Sequence, residues 1–110
     1  MIKVTTALLS EILNAKLIGD ATTVIDAINT DSRQYQHNSL FFALKGENFD
    51  AHDYLDKAIS QGAIALVVER ADYSLNVPQL VVTNSRLALG YLAKWLRNKI
   101  NPRTVAMTGS

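Results

Sequence analysis

The apolar run Ser39 to Leu44 (SLFFAL) limits the possible folds of this chain more than any other segment. It is apolar without alternation, which is typical of a strand whose two faces are both covered. A second run of this kind, Ala63 to Val68 (AIALVV), follows a helical pattern that begins at Asp50 or His52 and stops at Gly62. Because a strand, a helix and a strand follow one another, we predict a βαβ unit whose two strands pair in parallel.

The other periodic segments extend this unit into an α/β fold, with a small mixed or mostly parallel sheet and flanking helices. The first helix has apolar residues at three- and four-residue intervals from Leu8 to Leu17, with Gly19 placed to end it. Gly90 falls inside the last helix at a cost of about 1 kcal/mol relative to alanine, so we expect it to pack closely against a neighbouring backbone. Thr5 or Thr6 can cap the first helix. The further predicted elements are strands from Thr22 to Asn29 and from Gln79 to Thr83, a helix from Asn84 or Ser85 that Asn101 and Pro102 end, and a strand from Thr104 to Met107.

Composition excludes several classes of function. The 110 residues contain no cysteine, which rules out disulfides, thiolate metal sites and a cysteine nucleophile. The net charge of +1 gives no electrostatic reason to expect nucleic acid or an anionic membrane as a partner. Glu11 interrupts the first apolar run before a signal-peptide core could form, and no segment approaches the roughly 20 apolar residues of a membrane span. We therefore expect a cytoplasmic protein.

The chain has the length of one domain, or of one domain with part of another. A new helix and a new strand follow Thr83, so we expect one unit at residues 1–83 and the start of a second at residues 84–110. The closing TVAMTGS is similar to the start of a phosphate-binding loop, in which backbone N–H groups after a buried strand hold phosphate oxygens. The candidate residues are Thr108, Gly109 and Ser110, although a strand that runs into an ordinary turn is the alternative. A phosphate-binding loop continues with a lysine, and the sequence stops at Ser110 before any such residue. We therefore expect the chain to be a piece of a longer protein.

Two polar segments border the SLFFAL strand and form the candidate binding site. Loops that leave buried strands are where open α/β sheets place their ligands. Arginine can hold a phosphate by two parallel hydrogen bonds and lysine adds a mobile charge, so Arg33 and Lys45 are candidate anion ligands. The alternative is that both are solvated loop cations. The candidate residues are Asp31, Ser32 and Arg33 before the strand, and Lys45, Gly46, Asn48, Asp50 and His52 after it.

The remaining polar residues of these segments allow two interpretations each. Asp31 and Ser32 offer the acceptor and donor that a nucleobase such as uracil requires, but their spacing favours a turn that satisfies backbone N–H groups. Asp50, His52 and Asp53 are more typical of a helix cap than of a metal site, which needs three or four convergent ligands. No set of nucleophile, base and orienting group is visible, so we predict neither catalytic nor metal-binding residues.

Five segments of the sequence resemble the Mur ligase family. They are TDSR at 30–33, LFFALKGENFDAHDY at 40–54, A..QGAIALVV at 58–68, RLALGYLA at 86–93 and VAMTGS at 105–110. Together they cover most of the chain in the family's order, and the string ALKGE.FDAHD is the most specific. Ala51 departs from the pattern, because many relatives have glycine at that position.

The resemblance implies a cytoplasmic ligase of three domains. In that family the first domain receives the UDP end of the substrate, here UDP-N-acetylmuramoyl-tripeptide, the central domain binds ATP and Mg²⁺, and the last brings in D-alanyl-D-alanine. The substrate carboxylate is phosphorylated, and the dipeptide amine attacks the acyl phosphate to give an amide, ADP and phosphate. By position, Asp31, Ser32 and Arg33 would lie against the uridine, the segment from Lys45 to His52 would face the pyrophosphate, and Thr108, Gly109 and Ser110 would open the ATP phosphate loop.

Two other interpretations remain open. One is a sister ligase that adds the third amino acid, and the other is a non-catalytic module that binds a nucleotide or a sugar. Because the lysine of the phosphate loop, the magnesium ligands and the dipeptide site are missing from the sequence, we expect the 110 residues alone to be inactive as a ligase. We also expect a monomer, with no nucleic acid or membrane partner.

Overall fold

The structure, a computed structural model, describes residues 3–46 and 50–100, without the side chains of residues 99 and 100. The predicted strand from Thr104 to Met107 and the candidate phosphate loop lie outside the described residues. The described elements in chain order are β1 (Val4–Thr5), α1 (Thr6–Ile12), β2 (Lys16–Ile18), β3 (Val24–Ile25), β4 (Ala27–Asn29), β5 (Ser39–Phe42), a 3₁₀ turn (Ala51–Tyr54), α2 (Leu55–Ser60), β6 (Ala63–Val68), β7 (Gln79–Val81) and α3 (Ser85–Ile100).

Five strands form one mostly parallel sheet, in the order β2, β7, β6, β5, β4. The four strands from β4 to β7 pair in parallel, and β2 joins β7 in antiparallel orientation at one edge. The predicted fold class and the parallel pairing of the two apolar runs are therefore confirmed. A separate two-stranded ladder joins β1 to β3, with Val4 opposite Ile25.

Both faces of the central strands are buried, as the apolar runs predicted. Leu40 and Phe42 of β5 pack into one hydrophobic cluster and Phe41 into another, and all three side chains are fully buried. Helices α1 and α3 cover the first face, where Leu92 of α3 joins the cluster, while Leu55 of α2 covers the second. Full burial of an aliphatic or aromatic side chain contributes about 1.5–3 kcal/mol, so these two layers hold the sheet in place.

The first helix is shorter than the sequence pattern predicted. It ends at Ile12, and Asn14 adopts a left-handed φ of 52°, which stops the helical geometry. The residues predicted to complete the helix form β2 instead, where Leu17 lies opposite Leu80 of β7. The spacing of Leu17 from the helical residues suggested a longer helix. A half-buried edge strand also needs an apolar residue at position 17, so the spacing did not distinguish the two. Gly19, with a φ of 108°, follows this strand rather than a helix.

The strand predicted from Thr22 to Asn29 is in fact two short strands in two different sheets. The first, β3, pairs with β1, and the second, β4, pairs with β5. Asp26 separates them, and its backbone N–H donates to the carbonyl oxygen of Asn38 at 2.8 Å. This bond holds the chain at the point where it passes from one sheet to the other.

Two glycines differ sharply in what surrounds them. Gly62 has a φ of 103° just before β6, and a Cβ atom there would collide with the carbonyl oxygen of Gln36. Gly90 lies exposed on α3, and beyond the adjacent residues and backbone of its own helix no described atom lies within 4 Å of a Cβ atom added to it, so the expectation of close packing at Gly90 was wrong. Nothing in the structure explains a glycine at that position.

Candidate functional site

The candidate site lies along the edge of the sheet at which the parallel strands end. Strands that run in parallel bring their carboxyl ends to the same edge, so the segments after β4, β5, β6 and β7 are neighbours there. The two polar segments predicted from the sequence are the first two of these four segments. The other two contribute Glu69, Arg70, Ser85 and Arg86, which sequence reasoning missed.

A tight turn follows β4, and a buried asparagine shapes it. The Asn29 side chain is only 5% exposed; its Oδ1 accepts the Asp31 N–H at 2.9 Å, and its Nδ2 donates to the Gln34 carbonyl oxygen at 3.1 Å. Asp31 Oδ1 in turn accepts the Arg33 N–H at 2.9 Å. The turn interpretation of Asp31 is therefore confirmed, and Asn29 is a supporting residue that the sequence reasoning did not single out.

Within this turn, Asp31 and Arg33 form an ion pair through two side-chain hydrogen bonds. Arg33 Nε lies 3.0 Å from Asp31 Oδ1, and Arg33 Nη2 lies 3.1 Å from Asp31 Oδ2. The hydrogen bonds from Arg33 hold the pKa of the Asp31 carboxyl below its usual value, and the same pair raises the pKa of Arg33. The Arg33 side chain remains 79% exposed, so it can also meet a ligand.

A groove of about 560 Å³ opens beside this turn. Its far wall is the 3₁₀ turn and the start of α2, which bring Tyr54 and Lys57 opposite the predicted residues. An aromatic ring and a second cation suit a nucleobase and a phosphate, respectively. Tyr54 is the last residue of the segment at 40–54 that resembles the family, so the sequence did point to it, whereas nothing in the sequence singled out Lys57. The groove is lined by Thr30, Asp31, Ser32, Arg33, Phe41, Ala51, Tyr54 and Lys57.

The second polar segment begins and ends on a backbone pair. Lys45 and Asp50 form a single antiparallel bridge, and the Ala51 N–H donates to the carbonyl oxygen of Leu44 at 2.9 Å. Arg86 Nη2 donates to the Lys45 carbonyl oxygen at 3.2 Å, which ties the segment to the start of α3. Asn48, between the paired residues, lies outside the described part of the chain.

Lys45 and Gly46 line a second depression rather than the groove beside Arg33. This depression has a volume of about 380 Å³ and is completed by residues at the ends of β6 and β7 and the start of α3. Lys45 and Arg86 supply two exposed cations to it. Its lining residues are Lys45, Gly46, Glu69, Asn84, Ser85 and Arg86.

Asp50 caps the 3₁₀ turn, which confirms the cap interpretation. Its Oδ1 accepts the His52 N–H at 2.9 Å and lies 2.6 Å from His52 Nδ1, while its Oδ2 accepts Arg70 Nη2 at 3.0 Å. The backbone hydrogen bond from His52 is the main reason that the pKa of the Asp50 carboxyl is far below its usual value. The His52 side chain is only 3% exposed, and its Nε2 accepts the Glu69 N–H at 2.9 Å.

Glu69 connects the end of β6 to the start of α3. Its Oε2 accepts the Ser85 N–H at 2.9 Å, and this bond is the main reason that the pKa of the Glu69 carboxyl lies below its usual value. The Ser85 hydroxyl, buried beside it, donates to the Ala43 carbonyl oxygen at 2.7 Å. A carboxylate at the first N–H groups of a helix is favoured by the helix dipole, so Glu69 stabilises the start of α3.

The structure thus divides the predicted residues into three groups. Asp31, Ser32 and Arg33 share one groove, Lys45 and Gly46 line a second depression, and Asp50 and His52 bind each other. Within residues 3–46 and 50–100, no group of three His, Asp or Glu side chains could hold a metal ion. In the same part of the chain, no helix combines the length and apolarity needed to cross a membrane.

The structure defines the class of the protein as an α/β domain with a mostly parallel five-stranded sheet, and comparison with known proteins narrows this class to a family. A model of the Mur ligase family, catalytic domain, matches residues 24–98. The UDP-N-acetylmuramoyl-tripeptide–D-alanyl-D-alanine ligase of Haemophilus influenzae is 66% identical over 110 residues, which are all of this chain and 24% of that protein. The Escherichia coli protein of the same name is 49% identical over the same share of each chain.

A solved structure agrees with these relatives. The UDP-N-acetylmuramoylalanyl-D-glutamyl-2,6-diaminopimelate–D-alanyl-D-alanyl ligase of Acinetobacter baumannii superimposes with a TM-score of 0.79 and 35% identity, over 90% of this chain and 22% of that chain. The chain therefore belongs to the Mur ligase family. It spans about a quarter of the length of the curated relatives it matches.

Proposed function

We propose that this chain is the UDP-binding part of the ATP-dependent ligase that adds D-alanyl-D-alanine to UDP-N-acetylmuramoyl-tripeptide during synthesis of the peptidoglycan precursor. The observation that carries the proposal is the groove in which Asp31, Ser32 and Arg33 face Tyr54 and Lys57 at the carboxyl edge of the sheet. Its volume of about 560 Å³ lies within the range of small-molecule sites, about 300–1,000 Å³. The names of the relatives support the choice of substrate.

The groove offers a role for each part of a uridine diphosphate. Asp31 and the backbone around Ser32 provide an acceptor and donors for the uracil edge, and the Tyr54 ring provides an apolar surface for the base. Arg33 and Lys57 provide positive charge for the diphosphate, and both are exposed. Because the Asp31 carboxylate already orients Arg33, little further ordering of that side chain is needed on binding.

The second polar segment receives the far end of the diphosphate and the sugar in this proposal. Lys45, Gly46 and Asn48 are the residues that contact the ligand, with Arg86 as a further cation beside Lys45. Asp50 and His52 belong to the same segment, where their mutual hydrogen bonds hold the backbone in place.

The remainder of the reaction belongs to parts of the ligase beyond the described residues. In this proposal residues 1–83 form the substrate-recognition unit, and residues 84–110 begin the unit that binds ATP and Mg²⁺, with Thr108, Gly109 and Ser110 at the start of the phosphate loop. ATP would supply the phosphoryl group that activates the substrate carboxylate. The D-alanyl-D-alanine site lies further along the ligase, and the ligase acts in the cytoplasm as a monomer.

Titration of labelled chain with UDP, followed through its backbone amide signals, tests the groove. We expect the largest shifts at Asp31, Ser32, Arg33, Tyr54 and Lys57, and little change on the far edge strand β2. Uridine without phosphates should bind more weakly if the two cations hold the diphosphate. Shifts confined to β2 or to α3, with none beside β4, would contradict the proposal.

Turnover by the complete ligase separates the proposed activity from its two alternatives. We expect it to consume UDP-N-acetylmuramoyl-tripeptide, ATP and D-alanyl-D-alanine together. Use of the UDP-linked dipeptide and a free amino acid would favour the sister ligase. Binding of the nucleotide without any ATP-dependent product would favour a non-catalytic module.

A further inference from the structure

We propose that His52 is a positioning residue, whose buried imidazole holds Asp50 and, through the backbone bridge of Asp50, also Lys45, so that Lys45 faces the diphosphate of the substrate. This role rests on the proposed function, which assigns Lys45 to the ligand. The His52 ring is 3% exposed and lies between the cap of the 3₁₀ turn and the end of β6. Its position is unsuited to direct contact with a ligand and well suited to linking two elements.

The partners of the ring fix its tautomer. The Glu69 backbone N–H can only donate, so His52 Nε2 must accept at 2.9 Å and carry no proton. The proton of the neutral ring is therefore on Nδ1, where it donates to Asp50 Oδ1 at 2.6 Å. Both ring nitrogens therefore form hydrogen bonds, Nδ1 with the cap of the 3₁₀ turn and Nε2 with the end of β6.

Two chains of contacts lead from the ring to Lys45. Asp50, held by the ring, forms the backbone bridge with Lys45. Glu69, whose N–H the ring accepts, binds the Ser85 N–H at the start of α3. From that start, the Ser85 hydroxyl donates to the Ala43 carbonyl oxygen, and Arg86 donates to the carbonyl oxygen of Lys45 itself. Loss of the ring would remove the link between these two chains of contacts.

Steady-state kinetics of the complete ligase test this role. We expect His52→Ala to raise the KM for UDP-N-acetylmuramoyl-tripeptide about tenfold, with the KM for ATP changed less than about twofold. His37→Ala is the matched control, since His37 is exposed in the segment before β5 and should leave both values unchanged. An equal rise in both KM values would mean general loss of structure and would overturn the role.

Two conservative variants guard against simple misfolding. Asn at position 52 can keep a donor for Asp50, and Gln can keep an acceptor for the Glu69 N–H. We expect His52→Asn and His52→Gln each to give a KM for the nucleotide substrate between those of the wild type and His52→Ala. A folded His52→Asn or His52→Gln variant with the same KM as His52→Ala would contradict the role of the separate contacts.

A double-mutant cycle with Lys45 shows whether His52 acts through it. In the Lys45→Ala background, we expect His52→Ala to change the KM for the nucleotide substrate less than about twofold, because the residue being positioned is gone. If Lys45→Ala and Arg33→Ala leave that KM unchanged, the proposed function itself fails. If they raise it while His52→Ala does not, only the positioning role fails.

Imidazole nitrogen signals give a readout that does not depend on activity. At neutral pH we expect His52 to show a protonated Nδ1 and an unprotonated Nε2, whereas exposed His37 should exchange its proton rapidly with water. A His52 ring protonated on Nε2 would overturn the proposed arrangement.

Discussion

Arg33 and Asp31, two residues apart, hold each other through three hydrogen bonds. Asp31 Oδ1 accepts both the Arg33 N–H at 2.9 Å and Nε at 3.0 Å, and Asp31 Oδ2 accepts Nη2 at 3.1 Å. With the Arg33 side chain 79% exposed, water screens this pair, and exposed pairs of this kind add little to stability. Its consequence is orientation, because the guanidinium is fixed in direction before a ligand arrives.

Arg33→Ala in the complete ligase should therefore affect nucleotide binding and little else. We expect the KM for UDP-N-acetylmuramoyl-tripeptide to rise about tenfold while the KM for ATP stays within about twofold, since the contact supplies binding to one substrate only. Lys16→Ala is the control, because Lys16 is an exposed cation on β2, at the opposite edge of the sheet from β4. An unchanged KM for the UDP substrate would remove Arg33 from the site.

Gly62→Ala and Gly90→Ala should change stability in opposite directions. At Gly62 the φ of 103° and the nearby Gln36 carbonyl oxygen should make alanine destabilising by about 1–3 kcal/mol. At Gly90, exposed in α3 with open space around it, alanine should stabilise by about 0.5–1 kcal/mol. Urea denaturation of the two variants measures both effects. A stabilising Gly62→Ala substitution would contradict the described turn.

Acid should weaken the fold partly through Asp50. Folding lowers the pKa of the Asp50 carboxyl below the usual value near 3.8. As the pH falls below about 4, the unfolded chain therefore takes up a proton at Asp50 before the folded chain does. The contribution of Asp50 to the free energy of unfolding declines over this range. Asp50→Asn should therefore be less stable than the wild type near pH 7, with the difference shrinking towards pH 2. Urea denaturation across this range measures the effect.

Asp56→Asn provides the comparison for the acid experiment. Asp56 is an exposed aspartate on α2, so its substitution should leave the pH dependence close to that of the wild type. If Asp50→Asn instead differed from the wild type by a constant amount at every pH, the hydrogen bonds that His52 and Arg70 donate to the Asp50 carboxylate would not be the cause.

Leu92→Ala and Leu87→Ala test whether α3 is part of the same cooperative unit as the sheet. Leu92 is fully buried in the cluster that contains Leu40 and Phe42, so alanine should cost about 2–5 kcal/mol. Leu87 is 56% exposed on the same helix, and its substitution should change stability by about 0.5 kcal/mol or less. If the two variants unfold at the same urea concentration, α3 folds independently of the sheet.

The central strands could be predicted from sequence because their environment leaves a local signal. A strand buried on both faces, as β5 and β6 are, needs continuous apolarity over its own residues, and the short length of the run separates it from a buried helix. Edge strand β2 gave no such signal. Its Leu17 fits a helix and a strand equally well, and what decides between them is pairing with β7, more than sixty residues away along the chain.

The candidate site was predictable in part for the same reason. The turn at Asp31 rests on hydrogen bonds within six residues, from Asn29 to Gln34, so its residue types indicate it directly. The separation of Lys45 from Arg33 into different depressions depends on where α3 lies, since Arg86 and Ser85 hold the second segment from that helix. Long-range contacts of this kind leave no pattern in the neighbouring sequence.

The backbone bridge between Lys45 and Asp50 has a consequence for how this family can vary. Since the pair fastens the segment at its root, insertions among the intervening residues need not disturb β5 or the 3₁₀ turn. The number of residues between Lys45 and Asp50 can thus change, by evolution or by engineering, on an unaltered scaffold.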